Sequence, residues 1–112
     1  MKVLSVCNHP GGVNALLPVI DALIKSQHSV SVITRKHNCT FFQDYRLQTK
    51  YVEGPLSHDF SLDVFNTIKP DLLLTGTSEP GYPEDEDVGR IESVFVNAAK
   101  KNKISSITIL DF

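Results

Sequence analysis

A chain of 112 residues that is 41% hydrophobic and 21% charged has the size and composition of one globular domain, able to bury roughly two-thirds of its unfolded surface around a single core. Its formal charge of −2 and its dispersed lysines and arginines exclude the broad basic field that nucleic acid requires. No apolar run approaches the ~20 residues that span a bilayer, and a strand begins directly after Met1-Lys2 without room for a signal peptide, so no membrane span and a cytoplasmic location are expected.

The first predicted element is the nearly continuous apolar run Val3-Leu4-Ser5-Val6-Cys7, a strand covered on both faces. Cys7, at its end, reads as a small core residue rather than a nucleophile. A Gly-Gly turn follows, then a helix whose stripe is Leu16, Leu17, Ile20, Leu23 and Ile24. Val30-Ser31-Val32-Ile33 alternates as a second strand. Residues 35–49 are the least periodic stretch, expected to be a loop with one helical turn around Phe41 to Tyr45, in which Phe41-Phe42 lids the sheet and Cys39 is polar-loop material. A weaker strand at Lys50-Tyr51-Val52 precedes a helix striped by Leu62, Phe65 and Ile68. Asp71-Leu72-Leu73-Leu74-Thr75 is the fourth strand, Ile91, Phe95, Ala98 and Ala99 stripe the next helix, and Ser106-Ile107-Thr108-Ile109-Leu110 is the fifth strand. There is no internal repeat, low-complexity tract or linker, and the two cysteines have neither metal spacing nor a disulfide framework.

Strands alternating with helices mean βαβ units. Right-handed crossovers favour an open parallel sheet of order 3-2-1-4-5 with helices on both faces, a three-layer Rossmann-like α/β domain over residues 1–112. Val6, Leu73 and Ile107 are expected in its core.

Ligands in such sheets bind outside the carboxyl ends of the strands, where the order reverses between the first and fourth. Two loops flank that crevice, Asn8-His9-Pro10-Gly11-Gly12, leading into Val13, and Gly76-Thr77-Ser78-Glu79-Pro80-Gly81, led by Thr75. Paired glycines suit either a tight strand-to-helix turn or a close backbone approach to a ligand, and the helix start after them presents free N–H groups to an anion. The candidate ligand-binding residues are therefore Asn8, Gly11, Gly12, Val13, Thr75, Gly76, Thr77 and Ser78, and the acid–base candidates are His9 and Glu79. Glu84, Asp85, Glu86, Asp87 and Glu92 crowd the same region and read as the start of a helix near Val88, where acids complement the dipole, rather than as a magnesium site.

Several signatures fail. A dinucleotide site wants G-x-G-x-x-G and an acidic end to the second strand, where this chain has Gly11-Gly12 and Thr34-Arg35-Lys36; only a 2′-phosphate partner for Arg35 would fit. The P-loop pattern is absent, no histidine pair has helical metal spacing, and Ser5 and Ser78 lack a nucleophile elbow. A receiver domain would need acids after the first strand, and a flavodoxin a hydroxyl-rich phosphate loop there.

Two resemblances bear on function. Strand one followed by "NHPGG" is similar to the "AHPDD" start of zinc-dependent N-acetylglucosaminyl deacetylases, but Gly11 and Gly12 replace both aspartates, so no zinc site and no such activity are expected. The stretch "HPGGVNALLPVIDALIKSQHSVSVIT" resembles the opening of two-domain GT-B glycosyltransferases, through Gly11-Gly12, Pro18, His28, Val30, Val32 and Thr34. Gln27 and Ser29 depart from the commonest residues there, Gln27 standing where the pattern has glycine. "KPDLLLTGTSEPG" and "AAKKNKISSITILDF" resemble the second half of the same N-terminal domain. The resemblance implies an acceptor- or sugar-binding domain, a nucleotide sugar or glycosyl acceptor as partner, and a C-terminal domain beyond Phe112 without which no turnover is expected. No cofactor is implied. A non-catalytic nucleotide- or partner-binding module is the other class consistent with these residues.

Overall fold

The computed structural model describes residues 1–43, 45, 47–53, 56–76 and 91–109. The chain runs β1 (Lys2–Cys7), α1 (Pro10–Lys25), β2 (Ser29–Arg35), a 3-10 turn (Lys36–Asn38), α2 (Cys39–Phe42), β3 (Gln48–Val52), α3 (His58–Ile68), β4 (Leu72–Thr75), α4 (Ile91–Lys101) and β5 (Ser105–Thr108). All five strands are parallel, in the order β3-β2-β1-β4-β5, as the alternation of elements predicts.

Strand periodicity sorts the core into two layers. Leu4, Val6, Ile33, Val52 and Leu73 point to one face, where Val64 and Phe65 of α3 and Ile91, Phe95, Ala98 and Ala99 of α4 cover them. Val3, Cys7, Val30, Val32 and Leu74 point to the other, beneath Val13, Leu16 and Ile20 of α1 and Phe42 of α2. Phe41-Phe42 thus lids the sheet as expected.

Three helices end on left-handed residues that are not glycine. Gln27 has φ 64°, Lys69 φ 52° and Lys103 φ 58°. At the end of α1 the Gln27 N–H reaches Ile24 O and the His28 N–H reaches Leu23 O, and α4 closes the same way with Lys103 to Lys100 and Ile104 to Ala99, the paired bonds of a Schellman motif. After α3, buried Pro70 stops the helix, and Asp71 locks β4 to β1: Lys2 N–H donates to Asp71 Oδ2 and Asp71 N–H to Lys2 O, both at 2.8 Å. Ser57 caps α3, its Oγ accepting the Phe60 N–H.

Two expectations need correction. Ile107 is 49% exposed rather than buried: its register with Leu74 turns it to the α1 side, while among the described elements α1 packs chiefly over β1 and β2 and β5 packs chiefly against α4. Pro10, Gly11 and Gly12 are the first turn of α1 rather than a loop. Ile24, at the end of the α1 stripe, is 36% exposed. The acidic run 84–87 and the expected helix start near Val88 lie outside the described residues.

Candidate functional site

At the reversal point β1 pairs with β2 on one side and β4 on the other. His9 caps α1 in extended conformation, φ −91° and ψ 153°, with no side-chain cap bond. Pro10 carries no N–H and the Val13 N–H returns to His9 O at 3.0 Å, so the Gly11 and Gly12 amides are the first-turn donors without an intrahelical acceptor. Gly11 is exposed and Gly12 buried. Across from them, Gly76 donates its N–H to Val6 O at 3.3 Å. A Cβ built on Gly76 would lie 3.2 Å from Gly12 Cα, so the two backbones come this close because Gly76 carries no side chain.

The expected site residues separate here. Asn8, His9, Gly11, Gly12 and Gly76 meet at this edge. Val13 is there by sequence, but its side chain is fully buried among the α1-face residues and its N–H is taken. Thr75 is also buried, its hydroxyl bonded to Thr108 Oγ1 at 2.8 Å and its carbonyl to the Ile109 N–H. Thr77, Ser78 and Glu79 lie outside the described residues.

Behind the edge is a buried polar cluster centred on Asn8. Its N–H donates to Glu92 Oε1 at 2.9 Å, its Oδ1 accepts from Arg35 Nε at 3.0 Å, and its carbonyl accepts from Asn38 Nδ2 at 2.7 Å. Asn38 Nδ2 also donates to Thr34 Oγ1 at 3.0 Å, and Asn8 Nδ2 lies 3.4 Å from His9 Nε2. Arg35 and Glu92 are almost wholly buried. Arg35 is not set out at the strand end as a 2′-phosphate partner would be: it is almost wholly buried and its Nε donates to Asn8. Glu92 does sit in the first turn of α4, but it is a buried partner of Asn8, just past β1, rather than a solvated acid. The sequence reading missed its burial; the signal that could have found it is that Glu92, Phe95 and Ala99 share one face at i, i+3, i+7. Asn38 had no signal, lying in the aperiodic stretch.

The same surroundings act on Cys7. Burial pushes its thiol up to about 12, the Glu92 charge adds to the rise, and a hydrogen bond with the Thr34 side chain opposes it. A thiol so protonated is no nucleophile. Among the described residues no three His, Cys, Asp or Glu side chains are grouped to hold a metal ion, and no helix is long and apolar enough to cross a membrane.

No protein-family profile and no curated protein sequence matches the chain. Solved structures do. The UDP-GlcNAc 2-epimerase of Methanocaldococcus jannaschii superposes with a TM-score of 0.73 at 16% identity, over 97% of this chain and 31% of its own. A glycosyltransferase of Streptomyces sp. SF2575 gives 0.68 at 16% identity, over 98% and 39%. The likeness is one of fold. It agrees with the resemblance to sugar-nucleotide enzymes read from the Gly-Gly turn and its neighbours, and this chain spans about a third of those proteins' length. A deacetylase of teicoplanin biosynthesis also superposes, at 0.71 and 10% identity over 100% of this chain and 68% of its own. Fold alone therefore does not separate sugar-nucleotide chemistry from deacetylation; side chains at the edge must do so.

Proposed function

We propose that the chain is the N-terminal, acceptor- or sugar-binding part of a GT-B-like glycosyltransferase or related sugar-nucleotide enzyme, taking a nucleotide sugar or glycosyl acceptor at the carboxyl ends of β1 and β4. The observation that carries this reading is the Gly12–Gly76 contact at the reversal point. It keeps side chains out of the place where an open parallel sheet binds ligands, beside the free Gly11 amide and the positive end of α1. Sugar or phosphate oxygens are the acceptors such donors suit. His9 and Glu79 are the acid–base candidates, with Thr77 and Ser78 as further contacts. A C-terminal domain would supply the rest of the donor site, so the chain alone is expected to bind without turnover.

The test is a thermal-shift titration with UDP-GlcNAc and UDP. Ligand at 100 times its dissociation constant stabilises by about 2.7 kcal/mol. His9→Ala should weaken binding while leaving the unliganded melting temperature nearly unchanged, since the His9 ring is half-buried and makes one long contact. Gly12→Ala should weaken binding as well, and its folding is to be checked separately. If both variants fold and bind as the parent does, the chain is instead a non-catalytic nucleotide- or partner-binding module; if neither ligand shifts the melting temperature, nucleotide-sugar binding at this edge is refuted.

A further inference from the structure

We propose that Arg35 and Asn8 are positioning residues that set the tautomer of His9, holding the neutral imidazole with its proton on Nδ1, so that of the two acid–base roles open to His9 it takes the donor side toward a ligand. A chain of donors and acceptors runs from Arg35 through Asn8 to His9. An arginine side chain only donates, so the Asn8 atom that Arg35 Nε meets at 3.0 Å is the amide oxygen. That choice turns the Asn8 NH2 group to His9 Nε2 at 3.4 Å. An NH2 group only donates. Nε2 must then offer its lone pair, and the proton of the neutral ring goes to Nδ1.

Turning the amide over would set its NH2 against the Arg35 Nε–H, donor against donor, so the Arg35 bond fixes its orientation. Its main chain is held on both sides, the N–H by Glu92 Oε1 and the carbonyl by Asn38 Nδ2. The Asn38 amide is oriented by the same logic, because a carbonyl accepts only. Asn8 is 3% exposed, Arg35 5% and Glu92 6%, so bulk water does not compete for these bonds. His9 itself is half-buried, and among the described residues its Nδ1 meets no partner.

An Nδ1–H donor on the residue that caps α1, two positions before Gly11, complements an oxygen acceptor such as a phosphate or carbonyl oxygen, polarising it without taking a proton. This last step rests on the proposed function in placing a phosphorylated ligand at the edge; the tautomer does not.

The experiment is a long-range ¹H–¹⁵N correlation of the His9 ring in the whole chain above about pH 8, where an unperturbed imidazole is neutral. The expected parent spectrum shows protonated Nδ1 and unprotonated Nε2. Asn8→Asp still accepts from Arg35 but presents His9 with an oxygen instead of an NH2, so the tautomer should reverse to Nε2–H, a change no purely structural role produces. A parent spectrum with Nε2–H overturns the proposal without any variant, and so does a folded Asn8→Asp protein that keeps Nδ1–H. UDP is then added: a shift of the Nδ1–H proton supports the donor role. No response to UDP with the expected tautomer sinks the nucleotide-sugar reading and leaves the Arg35–Asn8–His9 chain standing.

Discussion

At the scale of single residues, two positions at the strand ends are defined by what surrounds them. Gly76 faces backbone rather than a movable side chain, with Gly12 Cα 3.2 Å from where its Cβ would sit. Gly76→Ala must part β4 from the start of α1, and overpacking of this kind costs about 1–3 kcal/mol; a fall in the urea midpoint at constant m-value measures it. Cys7 carries a pH prediction. Its thiol ionises near 9.0 when unfolded but only at about 12 when folded, so the folded state holds the proton longer. The contribution is fully present below pH 9 and is lost as pH rises from there toward 12, with a slope of at most about 1.4 kcal/mol per pH unit. Urea titrations of the parent and of Cys7→Ala at several alkaline pH values should diverge in slope above that point. Parallel curves would mean that the thiol is solvated.

At the scale of elements, the helix ends hold avoidable strain. Gln27 adopts φ 64° where the resembling sequence pattern has glycine. A left-handed non-glycine residue costs about 1–2 kcal/mol, of which the greater chain entropy of glycine when unfolded cancels about 0.5–1 kcal/mol. Gln27→Gly is therefore expected to stabilise by about 0.5–1 kcal/mol, raising the urea midpoint. The start of α3 gives the opposite sign: Ser57→Ala removes the acceptor of the Phe60 N–H and should cost about 1 kcal/mol. A neutral result at either site would show that the local backbone relaxes on substitution.

At the scale of the molecule, cover is uneven across the sheet. Two helices close the face of Leu73, whereas the α1 face thins out toward β5, all four of whose residues are exposed. Leu73→Ala should cost about 2–5 kcal/mol by leaving a cavity in closed packing. Ile107→Thr, though it stands one strand away in an equally apolar run, should stay within about 0.5 kcal/mol. Equal losses at the two sites, read from denaturant midpoints, would show that β5 is covered after all.

The strand order, the two helical layers and the place of the candidate edge were all legible in the sequence, because they follow from residue periodicity and the handedness of βαβ crossovers, which are local or nearly so. Val6 and Leu73 were placed in the core on that basis. Ile107 was misplaced because periodicity says which face a side chain takes, not whether a helix reaches it. The His-Pro-Gly-Gly stretch was legible as a strand-to-helix junction, but only the tertiary structure put Gly11 and Gly12 inside the helix and brought Gly12 against Gly76. The polar cluster was less legible still. Asn8, Arg35, Asn38 and Glu92 are spread over 85 positions of the chain, and hydrogen bonds between residues so far apart leave no periodic trace. Whether Arg35 faces a ligand or an amide was decided by packing, since a buried guanidinium must find its acceptors within the protein.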